Sequence, residues 1–234
     1  MELTKKIKNI AVENSAKGTI ISLCFMISIP LINIFYDILN TANRGLAMTM
    51  TNIDKMIPFM KIFVIPYILW YPFIILCMVY LNVKDKKTYF ITLVSLNLGF
   101  LVSYIFFYFF QTTVPRPTIS DNDFLSKLVR LIYGKDNPYN CFPSLHVLTS
   151  YLMIKGAISY EKYSKKAIRI ISISALMIMA STLFVKQHTL FDVVGGIFFG
   201  DVIFNIVFTL NGGSVKAWIK KQYSLLTMKK KLET

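Results

Sequence analysis

The chain has 234 residues and a formal net charge of +14, and 55% of its residues are hydrophobic. Its mean hydropathy of +0.55 is too high for a soluble domain of this length and predicts an integral membrane protein. The basic residues fall in short clusters between apolar runs, which argues against a nucleic-acid-binding protein. Three cysteines, two of them inside apolar runs, give no disulfide framework and no metal-ligand spacing.

Six apolar runs have about the 20 residues that a helix needs to cross a bilayer core of roughly 30 Å. They cover about 19–39, 59–83, 89–110, 144–160, 167–186 and 190–211, and the fourth is the shortest and least hydrophobic. Prolines in the first two runs are expected to kink those helices without excluding them from a membrane. The predicted fold class is all-α: a polytopic membrane helical bundle with six transmembrane helices, forming a single integral membrane domain over residues 1–234.

Loop charges predict the orientation. With an even number of spans both termini lie on the same side, and most of the 26 basic residues fall on or near that side. They lie in the N-terminal stretch, at 84–87, at 155–169 and in the C-terminal tail. Because basic loops favour the cytoplasm, both termini are predicted to be cytoplasmic, in a multi-pass protein of the cell membrane.

A long outer segment, 111–143, joins the third and fourth spans. Within it Ser120 and Asp123 resemble a capping box, apolar residues follow at helical spacing, and Gly134 suits a helix end. These features predict a short amphipathic helix at about 121–133. Such a helix either lies on the membrane surface or over a site, or packs on neighbouring spans.

Three polar stretches fall on the predicted outer side, and two of them hold the only two histidines of the chain. The stretches are Gln111–Pro117, Asn140–His146 and Gln187–Asp192. In the third, His188 and Asp192 are four positions apart, so on a helix their side chains share a face and the carboxylate can hold one imidazole nitrogen. If the stretches meet, they form one anion-binding site with two titratable rings, on the extracytoplasmic side.

The order of three motifs in these stretches resembles that of the type 2 phosphatidic acid phosphatase superfamily. The motifs are Arg116-Pro117, Pro143-Ser144-x-His146 and His188-x-x-x-Asp192, and the resemblance covers about 90–210. The spelling Phe142-Pro143-Ser144-Leu145-His146 is similar to that of its phosphotransferase-like branch, which includes inositol phosphorylceramide and sphingomyelin synthases. The resemblance implies a membrane enzyme that acts on a lipid phosphate.

Phosphoryl transfer without a metal needs a nucleophile, a proton donor for the leaving group and fixed positive charge. The resemblance implies that His188 is the nucleophile that forms a phosphohistidine, that Asp192 orients it, and that His146 is the general acid. The expected phosphate-binding residues are Arg116, Ser144 and Lys186. No metal and no cofactor are expected, and vanadate should inhibit because it mimics pentacoordinate phosphorus.

Two positions depart from the family pattern. The pattern places a lysine seven residues before the motif arginine, where this chain has Phe109, and an arginine after a serine in the last motif, where Thr182 follows Ser181. Two cations are therefore missing, with Lys186 as a partial substitute. Fewer cations disfavour a diphosphate substrate, because its greater charge needs more compensation.

Three functions remain open. The first is a phosphatase that hydrolyses a lipid phosphate monoester or diphosphate at the outer face. The second is a phosphotransferase that moves the phospho-headgroup to an alcohol acceptor, and the third is a non-catalytic membrane transport or assembly protein. Substitution of His188 by alanine separates the third from the others. The expected partners are the lipid phosphate and the bilayer, with no nucleic acid.

Asp201 lies deep in the sixth predicted span, near Gly196, Gly200 and Asn205. A carboxylate at that depth indicates either a functional site or a structural contact. The neighbouring glycines allow close packing, so an interhelical hydrogen bond is favoured over a proton path.

Overall fold

A computed structural model describes residues 17–159 and 163–212 of the chain, and these are mostly helical. Within this described part, five helices are long and apolar enough to cross a membrane, so the chain is a multi-pass membrane protein. They are α1 (Lys17–Leu39), α3 (Lys61–Lys84), α4 (Lys86–Phe109), α7 (Lys165–Phe184) and α8 (Leu190–Leu210). Three shorter helices are α2 (Asn52–Met56), α5 (Phe124–Lys135) and α6 (Leu145–Ser159).

The predicted fourth span is α6, which has only 15 residues. At about 1.5 Å per residue it is shorter than a bilayer core of roughly 30 Å, so the six-span prediction is not confirmed. Most of its residues are buried, and it packs against α4, α7 and α8. Protein therefore surrounds most of α6.

The orientation also stays a prediction. It depends largely on basic residues of the N-terminal stretch, on Lys162 and on the C-terminal tail, which lie outside the described residues. Lys155, which contributes to the same charge pattern, is 4% exposed and lies inside the bundle. Its position in the structure therefore makes it a weak indicator of loop charge.

The predicted proline kinks coincide with breaks in α1 and α3. A proline cannot donate to the carbonyl four residues earlier, and its ring crowds that carbonyl. In α1 a 3-10 turn at Phe25–Ile27 precedes Pro30. In α3 a 3-10 turn spans Lys61–Phe63, the α-helix runs from Val64 to Ile68, and after Leu69 a second segment begins at Trp70. Pro66 and Pro72 lie four residues after Ile62 and Ile68, at these breaks.

The loops at one end of the bundle are joined by short backbone pairings. Two-residue strands β1 (Ala47–Met48) and β2 (Thr112–Thr113) pair in parallel, and Thr112 also bridges to Asn140. The Met60 N–H donates to the Phe184 carbonyl over 3.0 Å. These contacts hold together the loop after α1, the loop after α4, the start of α6 and the α7–α8 link.

The outer segment contains α5, which begins and ends slightly later than the helix expected at about 121–133. Its N-cap is Asp123, whose carboxylate accepts hydrogen bonds from the backbone of Leu125 and Ser126 over 3.1 and 3.2 Å. Val129 of α5 packs with Val64, Tyr67 and Val185 in one apolar cluster. The helix therefore packs on the bundle beside the α7–α8 link.

Asp201 forms the expected interhelical hydrogen bonds. Its carboxylate accepts from the Tyr151 hydroxyl over 2.9 Å and from the Lys155 ammonium over 2.8 Å, and Lys155 also donates to Asn205. A buried ammonium without a carboxylate is strongly destabilising, so this pair fixes α8 against α6 within the membrane.

Candidate active site

His188 lies in a five-residue link, 185–189, between α7 and α8. The link turns tightly because Gln187 and His188 both donate their backbone N–H to the carbonyl of Thr182, over 2.9 and 3.2 Å. Lys186 within it has a φ of 54°, in the left-handed region that non-glycine residues seldom adopt. The turn brings the His188 side chain, which is 8% exposed, to the polar end of the bundle.

The hydrogen bond to His188 fixes which of its nitrogens is free. Nδ1 lies 3.0 Å from the carbonyl oxygen of Cys141. A carbonyl only accepts, so Nδ1 must carry the proton, and a neutral ring then has its lone pair on Nε2. This arrangement leaves Nε2 available as a nucleophile.

Asp192 lies close to the His188 ring but makes no short hydrogen bond to it. Its Oδ2 lies 3.6 Å from Nδ1 and accepts the N–H of Thr189 over 2.7 Å, while the Thr189 side chain caps α8 in return. The hydrogen-bond acceptor for the imidazole is therefore the Cys141 carbonyl and not, as predicted, the Asp192 carboxylate. Asp192 Oδ1 is buried without a hydrogen-bond partner in the described part of the chain.

His146 lies in the first turn of α6, and its ring centroid is 5.9 Å from that of His188. Tyr67 stacks on it at 4.4 Å and Trp70 packs on it at 4.0 Å, both from α3. The Trp70 indole N–H donates to the Thr149 hydroxyl over 2.8 Å, which fixes the indole against α6. The ring of His146 is thus held in one orientation by aromatic packing.

Ser144 is completely buried immediately before α6. Its N–H donates to the carbonyl of Asp192 over 3.1 Å, and its side-chain oxygen accepts the Val147 N–H over 3.4 Å. These bonds join the start of α6 to the start of α8, so the histidine-bearing ends of both helices lie side by side.

Arg116 reaches the residue that precedes His188. Its guanidinium donates to the side-chain oxygen of Gln187, and also to the carbonyls of Tyr133 and Asp136 over 3.2 and 2.7 Å. The guanidinium carbon lies 4.6 Å from the centre of the Tyr133 ring. The structure therefore places a positive charge beside the His188 link, held by backbone oxygens.

Lys186 was also predicted to bind phosphate, but its ammonium is bonded to backbone oxygens of another segment. Its ammonium donates to the carbonyl of Asp54 over 3.1 Å and to that of Ile57, in and beside α2. Burial lowers the pKa of Lys186, and the Asp54 carboxylate partly opposes this effect. The ammonium thus fastens the His188 link to the segment between α1 and α3.

Both histidines border a cavity of about 250 Å³. Aromatic rings of Tyr36, Tyr67, Trp70 and Tyr71 line it, together with Asp37, Lys135, Asp136 and Asn140. A larger, mainly apolar cavity of about 440 Å³ shares Asn33, Trp70 and Tyr71 with it and runs between α1, α3 and α4. The cavity beside the histidines, which aromatic and charged side chains line, therefore adjoins an apolar space.

The side chains of Cys141, His188 and Asp192 could together hold a metal ion. The Cys141 sulfur, a ring nitrogen of His188 and a carboxylate oxygen of Asp192 all lie within 4.8 Å of one another. Burial, and then the negative charge of Asp192, raise the pKa of the Cys141 thiol well above its ordinary value. Metal-free chemistry at this site stays a prediction.

Sequence reasoning missed four residues that organise this site. Tyr67 and Trp70 pack on His146, Gln187 joins Arg116 to the His188 link, and Asp54 contacts the start of α8. The aromatic residues were hidden inside an apolar run. For Asp54 a local signal existed, because Thr51 and Asp54 have the spacing of a capping box and form one.

In a comparison with protein families, the PAP2 superfamily model matches residues 88–215. This range includes every predicted site residue and more than half of the chain. Comparisons with curated proteins and with solved structures give no match.

Proposed function

This chain belongs to the PAP2 superfamily, whose members are typically phosphatases or phosphotransferases, and from that premise we propose that it is a membrane-embedded lipid phosphatase. It hydrolyses a lipid phosphate monoester or diphosphate through a phosphohistidine. The observation that supports this most directly is the His188 ring. Its Nδ1 faces the Cys141 carbonyl, and its Nε2 has no hydrogen-bond partner among the described residues, beside a cavity shared with His146.

In the proposed first step, Nε2 of His188 forms a bond to phosphorus while the bond from phosphorus to the lipid oxygen breaks. His146 gives its proton to that leaving oxygen, so the lipid departs as a neutral alcohol. In the second step His146 takes a proton from water, whose oxygen attacks the phosphorus. The bond to Nε2 breaks, and phosphate leaves with the enzyme restored.

Fixed dipoles and charges support both steps. The backbone N–H groups at the start of α6 lie beside Ser144, where an anion is stabilised by the helix terminus. Arg116 supplies positive charge at the Gln187 edge of the site. Asp192 lies 3.6 Å from Nδ1 and stabilises the positive charge that develops on the His188 ring during attack.

We propose that the site opens on the extracytoplasmic side of the cell membrane. The excess of basic residues in the other loops supports this orientation. The lipid chain would remain in the hydrocarbon region while the phosphate enters the cavity beside the histidines.

A phosphotransferase is the second candidate. Two carboxylates, Asp37 and Asp136, line the same cavity as the histidines, with Lys135 as the cation among its lining residues. Carboxylates disfavour a doubly charged monoester more than a singly charged diester. A phosphodiester donor would form the same phosphohistidine, which an alcohol rather than water would then attack.

The test is phosphate release by the purified protein in detergent without divalent metal. The substrates are phosphatidate, lysophosphatidate, undecaprenyl phosphate and undecaprenyl diphosphate, each with wild type, His188→Ala and His146→Ala. We expect release by the wild type, none by His188→Ala, and sensitivity to vanadate. With a substrate that has a good leaving group, His146→Ala should still form phosphoenzyme.

The outcomes separate the three candidate functions. Release that survives in His188→Ala contradicts the proposed nucleophile. No release from any monoester, followed by transfer from a phosphodiester lipid to an added alcohol, identifies the transferase. A cellular function that persists in His188→Ala, without either activity, supports a non-catalytic role.

A further inference from the structure

Asp54 lies in a part of the chain that carries none of the family motifs, yet it contacts the first turn of α8. It is 3% exposed. Its Oδ1 accepts the backbone N–H of Leu190 over 2.7 Å, and Leu190 is two residues after His188. Its Oδ2 accepts both the N–H and the hydroxyl of Thr51, over 2.7 and 2.6 Å.

Further contacts attach the same segment to residues on both sides of His188. Lys186, two residues before His188, donates its ammonium to the carbonyls of Asp54 and Ile57. The hydroxyls of Thr49 and Thr189 lie 3.1 Å apart. The segment from Thr49 to Ile57 therefore holds the His188 link on both flanks.

Asp54 bears a negative charge in this arrangement. Burial alone would raise its pKa, but hydrogen bonds from Thr51 and Leu190, together with the positive charge of Lys186, outweigh burial and lower it. An ionised carboxylate is favourable at a helix N-terminus, where the first N–H groups have no partner within the helix. The start of α8 is thus stabilised by a residue from a distant part of the chain.

We propose that Asp54 is a positioning residue for His188. This inference depends on the proposed function, because it assumes that His188 is the nucleophile. The Asp54 carboxylate and the Lys186 ammonium hold residues 186 and 190, so the His188 ring between them keeps its hydrogen bond to the Cys141 carbonyl. Without these contacts, Nε2 of His188 moves away from the substrate phosphorus, while the residues that bind the substrate stay in place.

The kinetic test uses Asp54→Ala and Asp54→Asn, with Asp123→Ala as the matched control. Asp123 also caps a helix through two backbone N–H groups, but it caps α5, and among the described residues it makes no bond to the His188 link. We expect Asp54→Ala to lower kcat about tenfold to a hundredfold, because a misplacement of about 1 Å can cost about a hundredfold in rate. KM should change little.

Asp54→Asn keeps an oxygen that can accept the Leu190 N–H, so it should recover part of the lost kcat. Asp123→Ala should keep the wild-type kcat. Equal losses of kcat in Asp54→Ala and Asp123→Ala, in step with a loss of folded protein, would show a general structural role and overturn the proposal. A wild-type kcat in Asp54→Ala would also overturn it.

A spectroscopic test does not depend on turnover. The chain contains only two histidines, so protein labelled with nitrogen-15 in the imidazole rings gives signals from His146 and His188 alone. The variant His146→Ala assigns them. We expect Asp54→Asn to shift the His188 signals and leave those of His146 in place, with no shift in Asp123→Ala.

The two tests separate the two proposals. If the wild type releases no phosphate but the His188 signals shift in Asp54→Asn, the proposed function fails while the positioning contact stands. If the signals do not shift in Asp54→Asn, the positioning role is wrong whether or not the protein is a phosphatase. Should Asp54→Ala not fold, Asp54→Asn carries both measurements.

Discussion

A methyl group at Gly196 should disturb both histidine-bearing helices. A Cβ built at this position in α8 would lie 2.8 Å from the carbonyl oxygen of Ser144 and 3.0 Å from the Val147 side chain. Ordinary contact begins at 3.4 Å, so α8 and the start of α6 would have to separate by about 0.6 Å. The obstructing atom is backbone, which cannot rotate away as a side chain can.

The magnitude follows from this geometry. Overpacking of a close helix contact costs about 1–3 kcal/mol, so Gly196→Ala should be destabilised by an amount in that range. The Ser144 carbonyl accepts the Leu148 N–H over 2.9 Å in the first turn of α6, so the displacement moves His146 as well. A shift of about 0.6 Å in a catalytic group lowers kcat roughly tenfold.

Gly134→Ala is the matched control, because this glycine also lies in a helix and a Cβ there meets nothing within 4 Å. It should be neutral or stabilising, since alanine favours a helix by about 0.5–1 kcal/mol over glycine. The assays are reversible unfolding in detergent and phosphate release. If Gly196→Ala matches Gly134→Ala in both, the close contact between α6 and α8 does not control the site.

Two further predictions concern orientation and pH. The native Cys141 is 3% exposed, so labelling the topology requires cysteines introduced at exposed positions. Asn122→Cys should react with an impermeant maleimide in intact cells. Lys166→Cys should react only after permeabilisation. The reverse pattern would invert the orientation. The pKa of Asp54 is lower in the folded protein than its ordinary value of about 3.9 in the unfolded chain. The ionised carboxylate therefore contributes its full stabilisation above the unfolded pKa, and this is lost as the pH falls through the folded pKa. Acid unfolding should therefore be steeper in the wild type than in Asp54→Asn, and identical curves would contradict the ionised contact.

The amino-acid sequence by itself determined the membrane class and most helix positions. Observed helices begin and end within a few residues of four predicted runs: 59–83, 89–110, 167–186 and 190–211. This succeeds because a helix in lipid satisfies its own backbone and needs only a long apolar run. The run 144–160 also matches α6, but at 15 residues this helix is too short to confirm a sixth span.

The motif order also allowed the superfamily to be identified from the sequence, since the family match covers the same residues. Residue types at fixed spacing carry that information locally. The sequence predicts that His146 and His188 share one site if the polar stretches meet. Their ring centroids lie 5.9 Å apart. Their chemical roles stay predictions that the substitutions above test.

Only the tertiary structure decided how each site residue is held. The proton on His188 Nδ1 follows from the carbonyl of Cys141, 47 residues earlier in the chain, and the direction of Lys186 follows from the carbonyls of α2 and its C-cap. Tyr67 and Trp70, which pack on His146, have apolar neighbours along the sequence that conceal them. Local spacing constrains contacts within a few helical turns, whereas these contacts join distant segments and depend on how the helices pack.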